Sequence, residues 1–241
     1  MTSPISLSRF MDYCKGVFHL DRRIGKLRDG RKKHRIPLAV IWRSVFVMFA
    51  TRMESLNRLE IDLRKPDLLN RWVGEPKPRA DAIGDAYGVL DPDSQREILW
   101  AILHKLKRNR CWATSAPQAI LPTRTLWEVG HHRWDIDAGL FNDLVNNWFM
   151  DHSYKHNPTA ILNFTLTLLI VYLLMQAFFY RDLKPALRKK STLSSVARDL
   201  LKTLRESSEP GRTQQRGPRR QPRSAPHGKP PPRDPPRNRS A

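Results

Sequence analysis

From Thr159 to Phe179 the chain reads TAILNFTLTLLIVYLLMQAFF, a run without a single charged residue. A run of this kind restricts the fold more than any other feature of the sequence. About 20 apolar residues suffice to cross the hydrocarbon core of a bilayer as a helix. The same run can instead be a helix buried on all sides inside protein. Asn163, Gln176 and three threonines dilute it, and Lys155, Arg181 and Lys184 flank it without marking an orientation. In both cases a long helix has to be covered, by lipid or by the rest of the chain.

The rest of the chain offers helices to cover it. IPLAVIWRSVFVMFATRM, Ile36 to Met53, reads as an apolar helix with Pro37 near its start. Amphipathic stretches follow in SLNRLEIDLRKPDLLNRW and DPDSQREILWAILHKLKRNR. The second opens on Asp91-Pro92, a cap followed by proline at the first helical position, and closes on a basic turn. STLSSVARDLLKTLRE, Ser191 to Glu206, predicts a shorter helix near the end. No segment alternates as a strand does, and no internal repeat occurs. Residues 1–35 read as polar and basic, ending in the charge run RDGRKKHR. CWATSAPQAILPT, Cys111 to Thr123, is an irregular stretch broken by Pro117 and Pro122. The last residues, 207–241, are rich in Pro and Arg with almost no apolar side chain, and are expected to be a disordered basic tail.

Charge restricts the partners. The 241 residues hold 43 Lys and Arg against 23 Asp and Glu, a formal net charge of +20, with a pI near 10.7. Such a balance favours polyanions, nucleic acid before an acidic membrane surface. Cys14 and Cys111 form no pair motif, so neither a disulfide framework nor a thiolate metal site is expected and a reducing, cytoplasmic setting fits. The N-terminal residues carry no signal-peptide pattern.

One segment carries an acid where an apolar residue belongs. In TRTLWEVGHHRWDIDAGLFNDLV a helix would align Gly130, Trp134, Asp137, Phe141, Leu144 and Trp148 on one stripe. An unpaired carboxylate facing a core is costly, and Arg133 at i−4 could supply its cation. The choice lies between a structural ion pair and part of an active site. His152 and His156 have a spacing that suits zinc on a helix, but Asn157-Pro158 predicts a turn and no third ligand is evident. No phosphate-cradling glycine loop and no nucleophile elbow occur.

PTRTLWEVGHHRWDIDAGLFNDLVNNWFMDHSYKHNPTAILNFTLTLLIVYLLMQAFF resembles the C-terminal part of bacterial insertion-sequence transposases of the DDE class, the insertion-sequence-four type. Their signature there is Tyr, two residues, Arg, three residues, Glu, on the helix that brings the third catalytic acid to the metal site. Arg133 falls on the Arg and Asp137 on the Glu. PRADAIGDAYGVLDPDSQREILWAILHKLKRNR is similar to the helical region preceding the catalytic core. The resemblance implies DNA transposition, with magnesium as cofactor and transposon ends as partner. It makes Asp137 the catalytic metal ligand and Arg133 the group that orients it or contacts DNA. It also implies that the Thr159–Phe179 helix lies buried behind the acid rather than in a bilayer.

The chain departs from the family in three places. Gly130 stands at the Tyr position. Asp137 is one methylene shorter than Glu, so its oxygens fall short by about 1.5 Å. No Asp or Glu occurs between Glu97 and Glu128, where the family places both catalytic aspartates and most of the catalytic sheet. Two-metal phosphoryl transfer clamps reacting oxygens between cations about 3.5–4 Å apart, and one carboxylate cannot hold both ions. The acids from Asp81 to Asp93 read as caps and solvated turns.

The expectation is a mainly α protein: a helical N-terminal DNA-binding and dimerisation region (1–110), a junction (111–123) and the C-terminal helices of an RNase H-like core (124–206) whose central sheet is missing. It would bind DNA and be catalytically defective, with magnesium not held productively. Arg31, Lys32, Lys33 and Arg35, then Lys105, Lys107, Arg108 and Arg110, are the expected phosphate contacts. If the sheet is gone, the apolar helix needs a new cover: a second copy, the N-terminal helices or a membrane. Alternatives are a small membrane-associated protein with one span at 159–179, or a non-catalytic inhibitor partner of an intact transposase.

Overall fold

The computed structural model describes residues 5–65, 68–106, 124 and 136–207, apart from the side chains of 136–138. The described residues are mainly helical, and no strand occurs among them. The junction at 111–123 and the tail from residue 208 lie outside them, as do Arg133, Lys107, Arg108 and Arg110.

The N-terminal segment is helical too. α1 (Leu7–Phe18) starts at Ser6, whose hydroxyl accepts from the Arg9 backbone N–H, and α2 (Leu20–Ile24) follows directly. Leu7, Phe10, Met11, Cys14 and Phe18 recur at helical spacing and are all buried. The charges of this polar and basic segment therefore hide an amphipathic helix, inside the stretch 1–110 that was expected to be helical.

α3 (Leu38–Ala50) is apolar nearly all round, and from Val45 to Ala50 every residue is buried. α4 (Leu56–Leu63) is capped by Ser55. The four-residue α5 (Asn70–Val73), α6 (Ala80–Val89) and α7 (Pro92–Leu106) complete the N-terminal half. After the junction a π-helical turn (Ile136–Phe141) runs into α8 (Asn142–Trp148). The long apolar run forms α9 (Pro158–Ala177), capped by the Asn157 side chain and prolonged by a second π-helical turn (Phe178–Asp182). A short α10 (Pro185–Arg188) and the amphipathic α11 (Leu193–Ser207) end the described chain.

α9 packs on α7, α6 and α3, so helices from before and after the junction share one core. Over its most apolar stretch 67% of this helix is buried within the chain. It is also long and apolar enough to cross a membrane, so composition alone does not separate the two fates. Its polar residues find their partners within the chain. Asn163 and Thr167 are fully buried. Asn163 Nδ2 donates to the Tyr87 carbonyl at 2.8 Å and the Leu90 carbonyl at 2.7 Å, the open end of α6. Asn163 Oδ1 accepts from Gln95 Nε2 at 2.8 Å. Gln95 Oε1 accepts from Trp42 Nε1 at 3.0 Å and from the Thr167 hydroxyl at 2.8 Å. The Tyr87 hydroxyl lies 3.1 Å from Thr167 Oγ1. This network joins α3, α6, α7 and α9, and a fully satisfied buried network fixes helix register.

Candidate nucleic-acid interface

The basic run before α3 folds back on the start of α7. The Arg28 guanidinium bonds the Asp91 carboxylate and reaches Glu97 at 3.3 Å, while the Asp91 backbone N–H donates to the Arg28 carbonyl at 3.2 Å. Gly30 is forced by a close approach: a Cβ there would sit 2.2 Å from the Val89 carbonyl oxygen. The Arg31 guanidinium binds both Asp29 oxygens and donates to the Ile36 carbonyl at 2.9 Å. At 16% exposure its side chain is a lock for the loop rather than a free cation. Lys32, Lys33 and Arg35 are exposed, and none of the three enters an ion pair among the described residues. Lys105 is exposed on the last turn of α7. Four of the expected phosphate contacts, Lys32, Lys33, Arg35 and Lys105, therefore face solvent.

The acids between Asp81 and Asp93 serve local structure. Asp91 Oδ1 accepts from the Asp93 N–H at 3.0 Å, Asp85 pairs with Lys155 at 2.9 Å, and Asp93 pairs with Arg96 at 2.5 Å. The Arg28 bond holds the Asp91 carboxyl below the usual carboxylate range.

Asp137 has helical backbone in the Ile136–Phe141 turn; its side chain and its pairing with Arg133 lie outside the described residues. The expected stripe is interrupted here. Leu144 and Trp148 are buried, but Phe141 is 43% exposed. A π turn bonds five residues back instead of four, so spacings of three and four no longer stay on one line. Further along, Asp143 accepts from the Tyr172 hydroxyl and from Asn147 Nδ2, both at 2.8 Å. His152 lies in the turn before α9 with its ring against Tyr154, centroids 4.5 Å apart. Among the described residues no group of three or more His, Cys, Asp and Glu side chains converges, so these residues offer no cage for a divalent pair.

One cluster escaped the sequence reading. Asp62 is completely buried and is approached by Lys65 at 2.6 Å, Arg58 at 3.4 Å and Arg205 at 3.6 Å. Beside it Arg52, Met53, Glu54, Ser55, Arg58, Leu201 and Arg205 enclose a cavity of about 290 Å³. Its arginines come from segments far apart in sequence and look, one by one, like ordinary surface cations.

Compared with known proteins, the chain matches no family profile, no curated protein and no solved structure.

Proposed function

We propose that this chain is a DNA-binding remnant of a DDE-class transposase that has lost the catalytic sheet. The observation that carries the reading is where the two resembling stretches meet. One contributes α6 and α7, the other α8 and α9, and Gln95 with Asn163 welds them in a single buried network. Segments separated by an irregular junction in sequence are thereby neighbours in one core, as parts of one ancestral protein would be. The exposed Lys32, Lys33, Arg35 and Lys105, on a chain of formal charge +20, supply the sequence-independent attraction that phosphates require. Magnesium belongs to the intact relatives. In this chain Asp137 is the residue that would hold it.

The test is a DNA-binding and cleavage assay with transposon-end duplex in magnesium or manganese. Binding should fall steeply as salt rises, and nicking should be absent in the wild type as in Asp137→Ala. Asp137-dependent nicking would overturn the loss of catalysis, and absence of DNA binding at low salt would overturn the reading as a whole.

A further inference from the structure

Arg52 follows the C-terminus of α3 with a φ of 54°. The Met53 N–H donates to the Met48 carbonyl at 2.8 Å and the Arg52 N–H to the Phe49 carbonyl at 3.0 Å. This is the left-handed helix stop at which glycine is the usual residue. An L side chain there costs about 1 kcal/mol of backbone strain. The side chain gains little that is structural in return. Its Nε is buried without an acceptor among the described residues, and its guanidinium lies over the Phe149 ring at 5.6 Å. Burial, and after it the charge of Arg198, push its pKa down against the opposing charges of Asp143 and Glu54.

The surroundings concentrate positive charge around the same cavity. Arg58 enters from α4, and Arg205 from α11, where Arg198, Leu201 and Arg205 follow at helical steps. The N-terminus of α4 opens here as well, with Ser55 at its cap and no acid in its first turn. The negative groups are Asp62, already approached by three cations, the exposed Glu54, and Asp143, which accepts from Tyr172 and Asn147. The buried Arg52 donor and the converging guanidinium groups leave room for an anion, while the neighbouring Asp62 Oδ2 is the buried acceptor that has no hydrogen bond among the described residues.

We propose that the cavity bounded by Arg52, Ser55, Arg58, Leu201 and Arg205 is a phosphate-binding site that receives a backbone phosphate of DNA. Guanidinium groups match phosphate oxygens in forked pairs. The site would give the proposed DNA binding a fixed anchor in addition to the exposed lysines of the 32–35 loop. Its identity as a DNA contact rests on the function proposed above, whereas its affinity for phosphate does not.

Arg52→Gly is the discriminating variant, because glycine relieves the left-handed backbone and should leave the melting temperature unchanged or higher. Two readouts are compared with wild type and with Lys26→Gln, an equal change of charge at an exposed residue outside the cavity. The first is the rise in melting temperature given by inorganic phosphate over chloride at matched ionic strength. It should be present in wild type and Lys26→Gln and lost in Arg52→Gly. The second is the affinity for a fluorescent DNA duplex across a salt series. Arg52→Gly should weaken it about tenfold and flatten the slope of log K against log salt by about one. A phosphate effect equal in all three proteins, or absent from wild type, would overturn the site. Phosphate binding lost in Arg52→Gly while DNA affinity stays unchanged would overturn its use for DNA. Phosphate binding in a wild type that binds no DNA would overturn the proposed function and leave the anion site standing.

Discussion

Replacing Asn163 by leucine separates a buried protein helix from a membrane span, because the two environments assign the change opposite signs. In this fold Asn163 spends both amide hydrogens on the Tyr87 and Leu90 carbonyls and its oxygen on Gln95. Leucine leaves both carbonyls without that donor inside the core, at about 1–3 kcal/mol each. It also removes one of the two acceptors of the Gln95 amide, the other being the Asn163 backbone carbonyl at 3.2 Å. The added apolar surface recovers about 1.5–3 kcal/mol at most, less whatever strain the bulkier branched side chain imposes. The net loss is about 2–4 kcal/mol, or a fall of about 6–12 °C in melting temperature for a domain of this size. Thermal and urea unfolding followed by helical circular dichroism measure it. Thr165→Val is the control, since the Thr165 hydroxyl bonds only the Ile161 carbonyl of its own helix and the change should stay within about 0.5 kcal/mol. In a bilayer, Asn163→Leu would make the span more favourable. A variant as stable as wild type, with stronger retention in carbonate-washed membranes, would refute the network as the reason α9 stays with the chain.

Three further outcomes follow from local geometry. Gly30→Ala drives a Cβ against the Val89 carbonyl, so the loop must lift off α6; a loss of about 1–3 kcal/mol in urea unfolding is expected, and an unchanged midpoint would mean the loop does not dock. The Arg31 bond, ahead of burial, holds the Asp29 carboxyl below the usual carboxylate range. Such a group stabilises the fold above its unfolded value and loses that contribution as pH falls through its folded one. The urea midpoint of wild type should therefore drop more steeply below roughly pH 4 than that of Asp29→Asn, and parallel curves would refute the lock. Burial pushes the Cys14 thiol well up, so in a Cys111→Ser variant an aromatic disulfide reagent should find no reactive thiol until denaturant is added.

The helices of this fold were written plainly where apolar residues dominate. Ile36–Met53 became α3, and Asp91-Pro92 opened α7 as cap and first residue. Legibility failed where charge masked period. In SRFMDYCKGVFHLDRRIGKLR basic residues are interleaved with the apolar ones, yet Phe10, Cys14 and Phe18 repeat every four residues and reach the core. The stripe through Asp137 failed for a different reason. A three-and-four spacing presumes an α-helical turn, and the Ile136–Phe141 turn is wider. Nothing in residue types announces a π turn.

The sequence left three covers open for the apolar helix, a second copy, the N-terminal helices or a membrane, and in this fold the N-terminal helices meet it through Asn163, Thr167 and Gln95. Each is fully buried, and each finds its partner on a different helix. In sequence these residues looked like dilution of an apolar run, because a partner some 70 residues distant leaves no local trace. The arginine cavity was hidden by the same cause at greater range. Arg58 and Arg205 are far apart in sequence, yet the shared core brings both to one buried carboxylate at Asp62, with Arg52 lining the cavity beside them. Local pattern therefore reveals which residues are covered, while the identity of the cover, and the polar sites that form at its seams, emerge only when distant helices meet.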